Sequence, residues 1–512
     1  MPTKRVPRPQ LIFEKSRAGR IGCNVPQCDT PAVELSQAVG RTREHLDLPE
    51  VSELEVIRHF TNLSQINYGI DTGFYPLGSC TMKYNPRINE RTAGLAGFTH
   101  LHPLQPLRTA PGMLRVIAEV QDILGELTGF PALSMQPVAG AHGEQTCLMM
   151  IRAYHESRGE GQQRRVVLIP DSAHGTNPAS AARCGYEVRT VPTDSEGMAD
   201  LVALEAALDE SVAAFMVTNP STLGLFEKNI ARVCELVHAV GGQVFCDGAN
   251  FNAMVGKSRP GDQGFDCMHL NLHKTFTTPH GGGGPGCGAI GVKAHLEPFL
   301  PAPFLRRAAP GESSNAGKEV VDGVVIDFQR PASIGRVSSF WGQSLMAVRA
   351  YTYLLAMGKR SLPAVADYAV LNANYVQARL KEVLPPAHDV YCMHECVLTA
   401  EKYKRAHGVR ALDISKRLID YGFHPPTNYF PLIVPECLMI EPTETESKQT
   451  LDAFCDALIQ ICREAETEPD LLHDAPTSQI VGRLDETRAV KDLDVRWKRV
   501  ASPSAEREPA QV

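Results

Sequence analysis

The sequence contains no unbroken apolar run of eighteen residues, which is about the shortest run that reads as a membrane-spanning helix. Its amino terminus, MPTKRVPRPQ, has cations and prolines but no following apolar segment of the kind found in a signal peptide. Acidic and basic residues nearly balance, at a net charge of -7, so there is no broad basic field for nucleic acid or for an anionic membrane. We therefore expect a cytoplasmic protein that has neither nucleic acid nor a membrane as a partner.

Paired CxxC units are also missing, although the chain contains 14 cysteines. This argues against a disulfide framework and against a zinc ribbon, and most cysteines are predicted to be small buried side chains. The segment CMHEC at 392–396 offers zinc ligands at short spacing, but the apolar Val397 and Leu398 that follow favour an ordinary strand. A redox role for Cys23 and Cys28, which flank a proline loop, is the less favoured interpretation of that pair.

The middle of the chain alternates short apolar runs with helical patterns, and no internal repeat interrupts it. Helical periodicity occurs at 199–208 and 231–240. The predicted buried strands are VVLIP at 166–170, AAFMV at 213–217, QVFC at 243–246 and AIGV at 289–292. This alternation predicts an α/β domain with a mainly parallel sheet.

Composition and length predict two or three domains, since 512 residues with 43% hydrophobic content bury a large core. A long helical stretch at 344–358 leads into further alternating strand and helix signals. We predict four parts, which are an amino-terminal extension and interface segment at 1–110, a large cofactor-binding α/β domain at 111–335, a small α+β domain at 336–475 and a loosely held charged tail at 476–512.

Polar residues follow three of the predicted strands, at 171–175, 218–222 and 247–250. Open α/β sheets bind ligands beyond the carboxyl ends of their strands. The three loops are therefore predicted to face one crevice.

Lys274 carries the strongest chemical signal, because it lies at the end of an apolar stretch and shortly before the glycine run at 281–284. A lysine amine can form a Schiff base with a carbonyl cofactor. Asp247 precedes it at the end of QVFC, where a carboxylate can keep the pyridine nitrogen of pyridoxal phosphate protonated. Taken singly, Lys274 is also compatible with a surface lysine beside a flexible loop, and Asp247 with a turn or a helix cap.

Four further residues fit a pyridine ring and its phosphate. His174 has an imidazole that can stack on the ring or handle protons, although a loop histidine bonded to backbone groups is equally compatible. Ala249 is small enough for close packing against the ring, but alanine is also common core filler. Gly140 and Ala141 open a predicted helix whose amides suit a phosphate, and this segment lacks both the Walker A and the dinucleotide fingerprint.

Motifs along almost the whole chain resemble one family. They are FYPLGSCTMKYNP (74–86), HLHPLQP (100–106), GAHGE (140–144), DSAHGTNPASA (171–181), TNPSTLGLFE (218–227), DGAN (247–250), LHKTFTTPHGGGGPG (272–286), SIGRV (333–337), YGFHPPTNYFPLIVPE (421–436) and EPTETES (441–447). The sequence is similar in these motifs to the glycine cleavage system P-protein, specifically to the second (beta) subunit of the two-chain glycine dehydrogenase (decarboxylating).

The resemblance implies a fold type I enzyme, like the transferases that depend on pyridoxal phosphate, with a smaller carboxyl-terminal α+β domain. It implies pyridoxal 5'-phosphate bound covalently to Lys274, with Asp247 at the pyridine nitrogen and His174 beside the ring. No metal is implied. The residues carried over as phosphate-side groups are Gly140, Ala141, Thr222 and His273.

The resemblance also implies an activity, which is decarboxylation of glycine with transfer of the aminomethyl group to the lipoyl arm of the H-protein. The expected partners are the homologous first (alpha) subunit, with two copies of each, and the lipoylated H-protein. Two alternatives remain open, namely a self-contained pyridoxal enzyme acting on another amino acid and a non-catalytic structural subunit. The motif residues Tyr75, Cys80, Lys83 and His102 fit either a glycine pocket or a subunit interface.

Overall fold

The computed structural model describes residues 8–27, 29–31, 33, 39–41, 46–281 and 286–496. Cys28, most of the glycine run at 281–284 and the last part of the predicted tail lie outside the described residues. Among the described helices, none combines the length and the apolar character that crossing a membrane requires.

A seven-stranded sheet forms the centre of the larger lobe. Its strands are β1 (Ala132–Ser134), β2 (Val166–Pro170), β3 (Glu187–Val191), β4 (Val212–Thr218), β5 (Gln243–Gly248), β6 (Cys267–Asn271) and β7 (Gly288–Val292). The strand order is β1-β7-β6-β5-β4-β2-β3. The block from β3 to β6 is parallel throughout, whereas β7 runs antiparallel to both of its neighbours. The predicted strands and the mainly parallel sheet are thus confirmed.

Helices cover both faces of this sheet. The chain first forms α1 (Glu53–Gln65), α2 (Arg87–Ala93) and α3 (Ala96–Thr99), and the helices that pack against the sheet are α4 (Pro111–Thr128), α5 (Gly140–Ser157), α6 (Thr176–Arg183), α7 (Leu201–Ala207) and α8 (Ile230–Ala239). Strands β2, β4, β5 and β6 are buried along their whole length, which explains why they occur in the sequence as continuous apolar runs. Helix α7 begins after Asp200, because the Asp200 carboxylate accepts hydrogen bonds from the first-turn amides of Val202 and Ala203.

The smaller lobe is built around the antiparallel strands β11 (Cys396–Thr399), β12 (Thr427–Asn428) and β13 (Cys437–Ile440). Its helices are α10 (Glu401–His407), α11 (Ala411–Asp420), α12 (Lys448–Thr467) and α13 (Pro469–Asp474), and α14 (Glu486–Lys491) follows them. A third sheet, β8 (Phe304–Arg307), β9 (Lys318–Val321) and β10 (Val324–Asp327), lies beside α4 of the larger lobe.

Helix α9 (Ser344–Leu380) joins the two lobes, since its first part packs in the core of the larger lobe and its last part in the core of the smaller lobe. The predicted helical stretch at 344–358 is the first part of this element. Gly358 ends that part by adopting a non-helical conformation with φ of 61°, after which the helix resumes.

The segment 74–86 runs between the lobes. Phe74 packs in the smaller-lobe core, and Leu77 pairs with Ile440 of β13 in an isolated bridge. At the other end of the chain, Thr477 and Ser478 donate backbone and hydroxyl hydrogen bonds to Asp420. The start of the predicted tail is therefore attached to the smaller lobe.

Candidate active site

Lys274 lies just beyond the carboxyl end of β6 and is only 8% exposed. Its Nζ donates a hydrogen bond to the backbone oxygen of Ser79 at 2.7 Å. The positive charge of Lys274 contributes to the pKa shifts of the buried and half-buried groups around it, which are Cys80, His174, Asp247, His273, His280, His394, Glu395 and Glu441. The lysine is therefore at the centre of a buried, titratable cluster.

Asp247 ends β5 and is 2% exposed. Its Oδ2 accepts hydrogen bonds from Asn177 Nδ2 at 2.9 Å and from the Thr218 hydroxyl at 3.2 Å. Its Oδ1 accepts from the amide of Ala249 at 2.9 Å and lies 3.3 Å from His269 Nε2. Four groups, from the neighbouring strands, from helix α6 and from the loop after β5, thus fix the orientation of this carboxylate.

The ionisation of Asp247 follows from these contacts. Burial is the largest influence and by itself raises the pKa of the carboxyl group, but His269, Asn177, the Ala249 amide and Lys274 together outweigh it and lower the pKa. Asp247 is therefore a carboxylate at neutral pH in a site that excludes water. Such a group can accept a hydrogen bond from a protonated pyridine nitrogen.

His174 follows β2 and is held by the residues that begin α6. His174 Nδ1 lies 3.2 Å from the amide nitrogen and 3.0 Å from the hydroxyl oxygen of Thr176. The Thr176 hydroxyl donates to Glu144 at 2.9 Å, and Phe430 of the smaller lobe packs edge-on against the imidazole at 5.1 Å. Burial, followed by the charge of Lys274, lowers the pKa of His174 and keeps the ring neutral.

Helix α5 begins at Gly140 beside the carboxyl end of β6. Among the described residues, no side chain caps the helix start at Ala139, so the amides of Gly140 and Ala141 receive no side-chain cap from them. A Cβ on Gly140 would lie 2.4 Å from Asn271 Oδ1, which shows how closely the backbone approaches β6. Asn271 Oδ1 and the Thr278 hydroxyl are buried without a hydrogen-bond partner in the described residues.

Thr222 and His273 make hydrogen bonds with backbone groups. The Thr222 hydroxyl donates to the carbonyl oxygen of Ser172, in the loop that carries His174. His273 Nδ1 accepts from the amide of Cys287 at 3.0 Å, and burial lowers the pKa of this histidine to about 3. These bonds go to neighbouring loops and not to Lys274 or Asp247.

Several residues at the site were not predicted from sequence. Ser79 contacts Lys274, and Asn177 and His269 bond or pair with Asp247. Glu395 accepts a hydrogen bond from the Ser79 amide at 2.6 Å, and Glu441 accepts from the Thr81 amide at 3.0 Å. Each of these residues lies in or beside one of the sequence motifs. Their contacts could not be predicted, because no local sequence pattern shows which motifs, far apart in the chain, meet in the fold.

Other motif residues serve to hold the structure together. Lys83 is buried and bonds Asn252 at 2.9 Å and Glu444 at 2.8 Å. The Tyr75 ring stacks on His424 with centroids 3.8 Å apart, whereas His102 is exposed and accepts a hydrogen bond from the amide of Leu104.

The CMHEC segment runs into β11, as the apolar residues after it predict. Burial raises the pKa of Cys392 to about 12 and that of Cys396 well above its ordinary value. Both groups are therefore protonated thiols, which are poor zinc ligands. Cys23 is exposed, and most of the other described cysteines are buried with free thiols.

The described groups fit pyridoxal phosphate. A buried lysine, a carboxylate held ionised at a strand end, a neutral imidazole and an uncapped helix start are the chemistry that an aldehyde, a pyridine nitrogen, an aromatic ring and a phosphate require. They come from loops at the carboxyl ends of neighbouring strands, where open α/β sheets bind their ligands.

Comparison with solved structures places the fold in one class. A glycine decarboxylase (P-protein) of the glycine cleavage system, in inhibitor-bound form, superposes with a TM-score of 0.67 at 21% identity, covering 85% of this chain and 100% of that chain. A sphingosine-1-phosphate lyase from Burkholderia pseudomallei superposes with a TM-score of 0.59 at 16% identity, covering 85% and 96%. The fold is that of the fold type I enzymes that depend on pyridoxal phosphate, which confirms the predicted fold class.

Sequence comparison then narrows the class. A family model described as glycine cleavage system P-protein matches residues 32–414, and one described as glycine dehydrogenase, C-terminal domain, matches residues 365–479. The chain belongs to the glycine cleavage system P-protein family, and the prediction of an enzyme of this family is confirmed.

Curated relatives match over nearly their whole length. A protein of Lysinibacillus sphaericus named probable glycine dehydrogenase (decarboxylating) subunit 2 is 53% identical over 492 residues, which cover 96% of this chain and 98% of the relative. A protein of the same name in Listeria monocytogenes is 52% identical over 493 residues, with the same coverage.

Proposed function

We propose that this chain is the cofactor-bearing second subunit of a glycine-decarboxylating enzyme. The observation that carries the proposal is the pair formed by Lys274 and Asp247, both buried and both oriented by hydrogen bonds at neighbouring strand ends. We infer glycine as the substrate from the names of the relatives, which are called probable glycine dehydrogenase (decarboxylating) subunit 2.

In this proposal each residue acts on a different part of the cofactor. Lys274 holds pyridoxal phosphate covalently through its amine, and Asp247 accepts the hydrogen bond of the pyridine nitrogen and so keeps that nitrogen protonated. Bound in this way, the cofactor supplies an electron sink for the bond between the α-carbon and the carboxylate of glycine. The burial of Asp247 excludes water that would compete for the same hydrogen bond.

The remaining residues orient the ring and the phosphate. His174 presents a neutral imidazole, which suits it to stacking and to proton transfer beside the ring. Ala249 adds little bulk next to Asp247. The amides of Gly140 and Ala141 at the start of α5 bind the phosphate, and Thr222 and His273 shape the loops on that side.

The proposal includes two protein partners, the substrate glycine and one group transfer. The homologous first subunit assembles with this chain as two copies of each, and the lipoylated H-protein receives the aminomethyl group on its lipoyl disulfide after glycine has lost carbon dioxide. With its amine free, the buried Lys274 would be suited to move protons at this site.

The test is an absorption spectrum of the full chain with added pyridoxal phosphate, before and after borohydride. We expect a visible band in the wild type that borohydride converts into a stable adduct on Lys274, and loss of both in Lys274→Ala. Lys359→Ala, which changes an exposed lysine, is the matched control and should behave as the wild type. Identical spectra for Lys274→Ala and the wild type would overturn the proposal and favour a structural subunit.

A second assay tests the partners. We expect release of carbon dioxide from carboxyl-labelled glycine only when the first subunit and the lipoylated H-protein are both added. Equal turnover by the isolated chain, or turnover of another amino acid instead of glycine, would support a self-contained pyridoxal enzyme.

A further inference from the structure

The peptide bond between Gly78 and Ser79 is clamped from both ends by the smaller lobe. The carbonyl oxygen of Gly78 accepts a hydrogen bond from the Thr427 hydroxyl of β12 at 2.8 Å. The amide of Ser79 donates to Glu395 Oε2 at 2.6 Å, and Glu395 immediately precedes β11. Since a peptide unit is planar, two contacts at opposite ends fix its orientation.

The backbone on either side of this peptide needs such support. Ser79 has φ of 64° and Thr81 has φ of 39°, in a region that residues with a side chain seldom adopt. Gly78 has no room for a side chain, because a Cβ there would lie 2.3 Å from Met439 Cγ. Unfavourable conformations of this kind persist where the surrounding structure holds them, and they occur preferentially at functional sites.

The peptide bond after Ser79 provides the carbonyl oxygen that contacts Lys274. The carbonyl oxygen of Ser79 accepts the hydrogen bond of Lys274 Nζ at 2.7 Å, and both residues are buried. The clamp fixes the plane of the preceding peptide, and the backbone angles of Ser79 set the direction of this carbonyl relative to that plane. Side chains of the smaller lobe thereby help to orient the Ser79 carbonyl oxygen, which accepts the hydrogen bond of Lys274.

We propose that Glu395 and Thr427 are positioning residues for Lys274, which they hold in place by clamping the Gly78–Ser79 peptide so that the Ser79 carbonyl receives the lysine amine. The inference rests on the proposed function of Lys274 as the attachment site of the cofactor. A carbonyl accepts hydrogen bonds only, so it binds the N–H groups of the free amine and fixes where Lys274 lies before attachment and after displacement by a substrate.

Glu395 acts here as a hydrogen-bond acceptor. Burial, followed by repulsion from Glu441, raises the pKa of Glu395 well above its ordinary value. The carboxyl oxygens of the two residues lie within 4.8 Å of each other, and two buried carboxyl groups so close do not both ionise. An uncharged acceptor of the same shape should therefore serve in place of Glu395.

The experiment measures how fast pyridoxal phosphate becomes attached to the full chain, by absorption and by borohydride trapping on Lys274. Glu395→Ala leaves the Ser79 amide without an acceptor, and we expect the attachment rate at saturating cofactor to fall roughly tenfold. Glu395→Gln retains an oxygen that can accept from Ser79, and it should restore most of the rate. The half-saturating concentration should stay the same, because the clamp acts on the lysine and not on the phosphate site.

Thr427→Val tests the other end of the clamp with little change of shape, so it gives a result even where Glu395→Ala fails to fold. It should slow attachment by a smaller factor than Glu395→Ala. Glu436→Ala is the matched control, because Glu436 is a buried carboxylate of the same lobe that accepts from the amide of Ala411 at 2.9 Å. It should lower the thermal unfolding temperature without slowing attachment.

Wild-type rates in both Glu395→Ala and Thr427→Val would overturn the inference. So would a Glu395→Gln chain as slow as Glu395→Ala, since that result would assign the effect to charge. Both outcomes leave the proposed function intact as long as the wild type is trapped on Lys274. A wild type that is trapped elsewhere would overturn the proposed function and this inference together.

Discussion

Nε2 of His269 lies 3.3 Å from Oδ1 of Asp247, and the two side chains are 1% and 2% exposed. Among the influences that lower the pKa of Asp247, His269 is the largest. His269 belongs to β6 and Asp247 to β5, so the pairing of two adjacent parallel strands places the two groups together. The ionised state of the candidate cofactor partner thus depends on a residue of the next strand.

The first prediction concerns this pair. His269→Phe keeps a ring of similar shape but removes the nitrogen, so the pKa of Asp247 should rise and its hydrogen bond to the pyridine nitrogen should weaken. We expect the dissociation constant of pyridoxal phosphate to increase about tenfold, as measured by absorbance titration. The control is His238→Phe, which also removes a histidine that contacts an aspartate, since His238 Nε2 lies 2.7 Å from Asp266 Oδ2. This control should leave the affinity for pyridoxal phosphate unchanged. Equal affinities in wild type and His269→Phe would contradict the role given to His269.

The strands of the larger lobe could be predicted because burial on both faces leaves a direct signal in the sequence. Residues 166–170 and 243–246 are continuous apolar runs, and each lies in a fully buried strand. The direction of β7 could not be predicted in this way. The run at 289–292 has the same apolar character as its neighbours, yet it pairs with β6 in the antiparallel direction.

The candidate site could be predicted in part for a similar reason. Asp247 and Lys274 lie at strand ends, which the apolar runs locate. Ser79 and Glu395 are separated by 316 residues, and their contact depends on how the smaller lobe packs against the segment 74–86. The hydrogen bond to Glu395 comes from the backbone amide of Ser79, which most other residue types would also provide. The identity of residue 79 therefore does not indicate this contact.

The second prediction concerns the start of α5. Gly140→Ala would place a Cβ 2.4 Å from Asn271 Oδ1, so the helix start or the Asn271 side chain must move. We expect the affinity for pyridoxal phosphate to fall by roughly tenfold more than the affinity for pyridoxal, which has no phosphate to bind the amides. The ratio of the two dissociation constants measures this. In Gly112→Ala the new Cβ meets nothing within 4 Å, and this control should keep the wild-type ratio. A parallel loss for both ligands in Gly140→Ala would argue against a phosphate site at this helix.

The third prediction concerns a buried ion pair that ties the segment 74–86 to the smaller lobe. The side chains of Lys83 and Glu444 are 1% and 10% exposed and lie 2.8 Å apart. Lys83→Met leaves Glu444 without its cation, and we expect the free energy of unfolding in urea to fall by about 3–5 kcal/mol. Adding Glu444→Gln should recover part of the loss, because it removes the unpaired charge.

An exposed pair provides the control for Lys83. The side chains of Lys359 and Glu126 are 89% and 64% exposed, so Lys359→Met should leave the free energy of unfolding unchanged within error. A loss in Lys83→Met no larger than that in Lys359→Met would show that the buried pair contributes little.

The fourth prediction concerns the pH dependence of stability. His394 is completely buried, neither ring nitrogen has a hydrogen-bond partner in the described residues, and burial, with a smaller contribution from Lys274, lowers its pKa from 6.5 to about 3. Between these two values the unfolded chain binds a proton at this position and the folded chain does not, so the free energy of unfolding falls as the pH falls from about 6.5 towards 3.

His394→Met should therefore reduce the slope of unfolding free energy against pH by about one proton, or about 1.4 kcal/mol per pH unit, in that window. Urea unfolding at a series of pH values measures the slope, and His100→Met, at an exposed histidine, should leave it unchanged. Other buried histidines with a lowered pKa, among them His155 and His174, would maintain the remaining slope, so an unchanged slope in His394→Met would mean that the folded protein binds a proton at His394 after all.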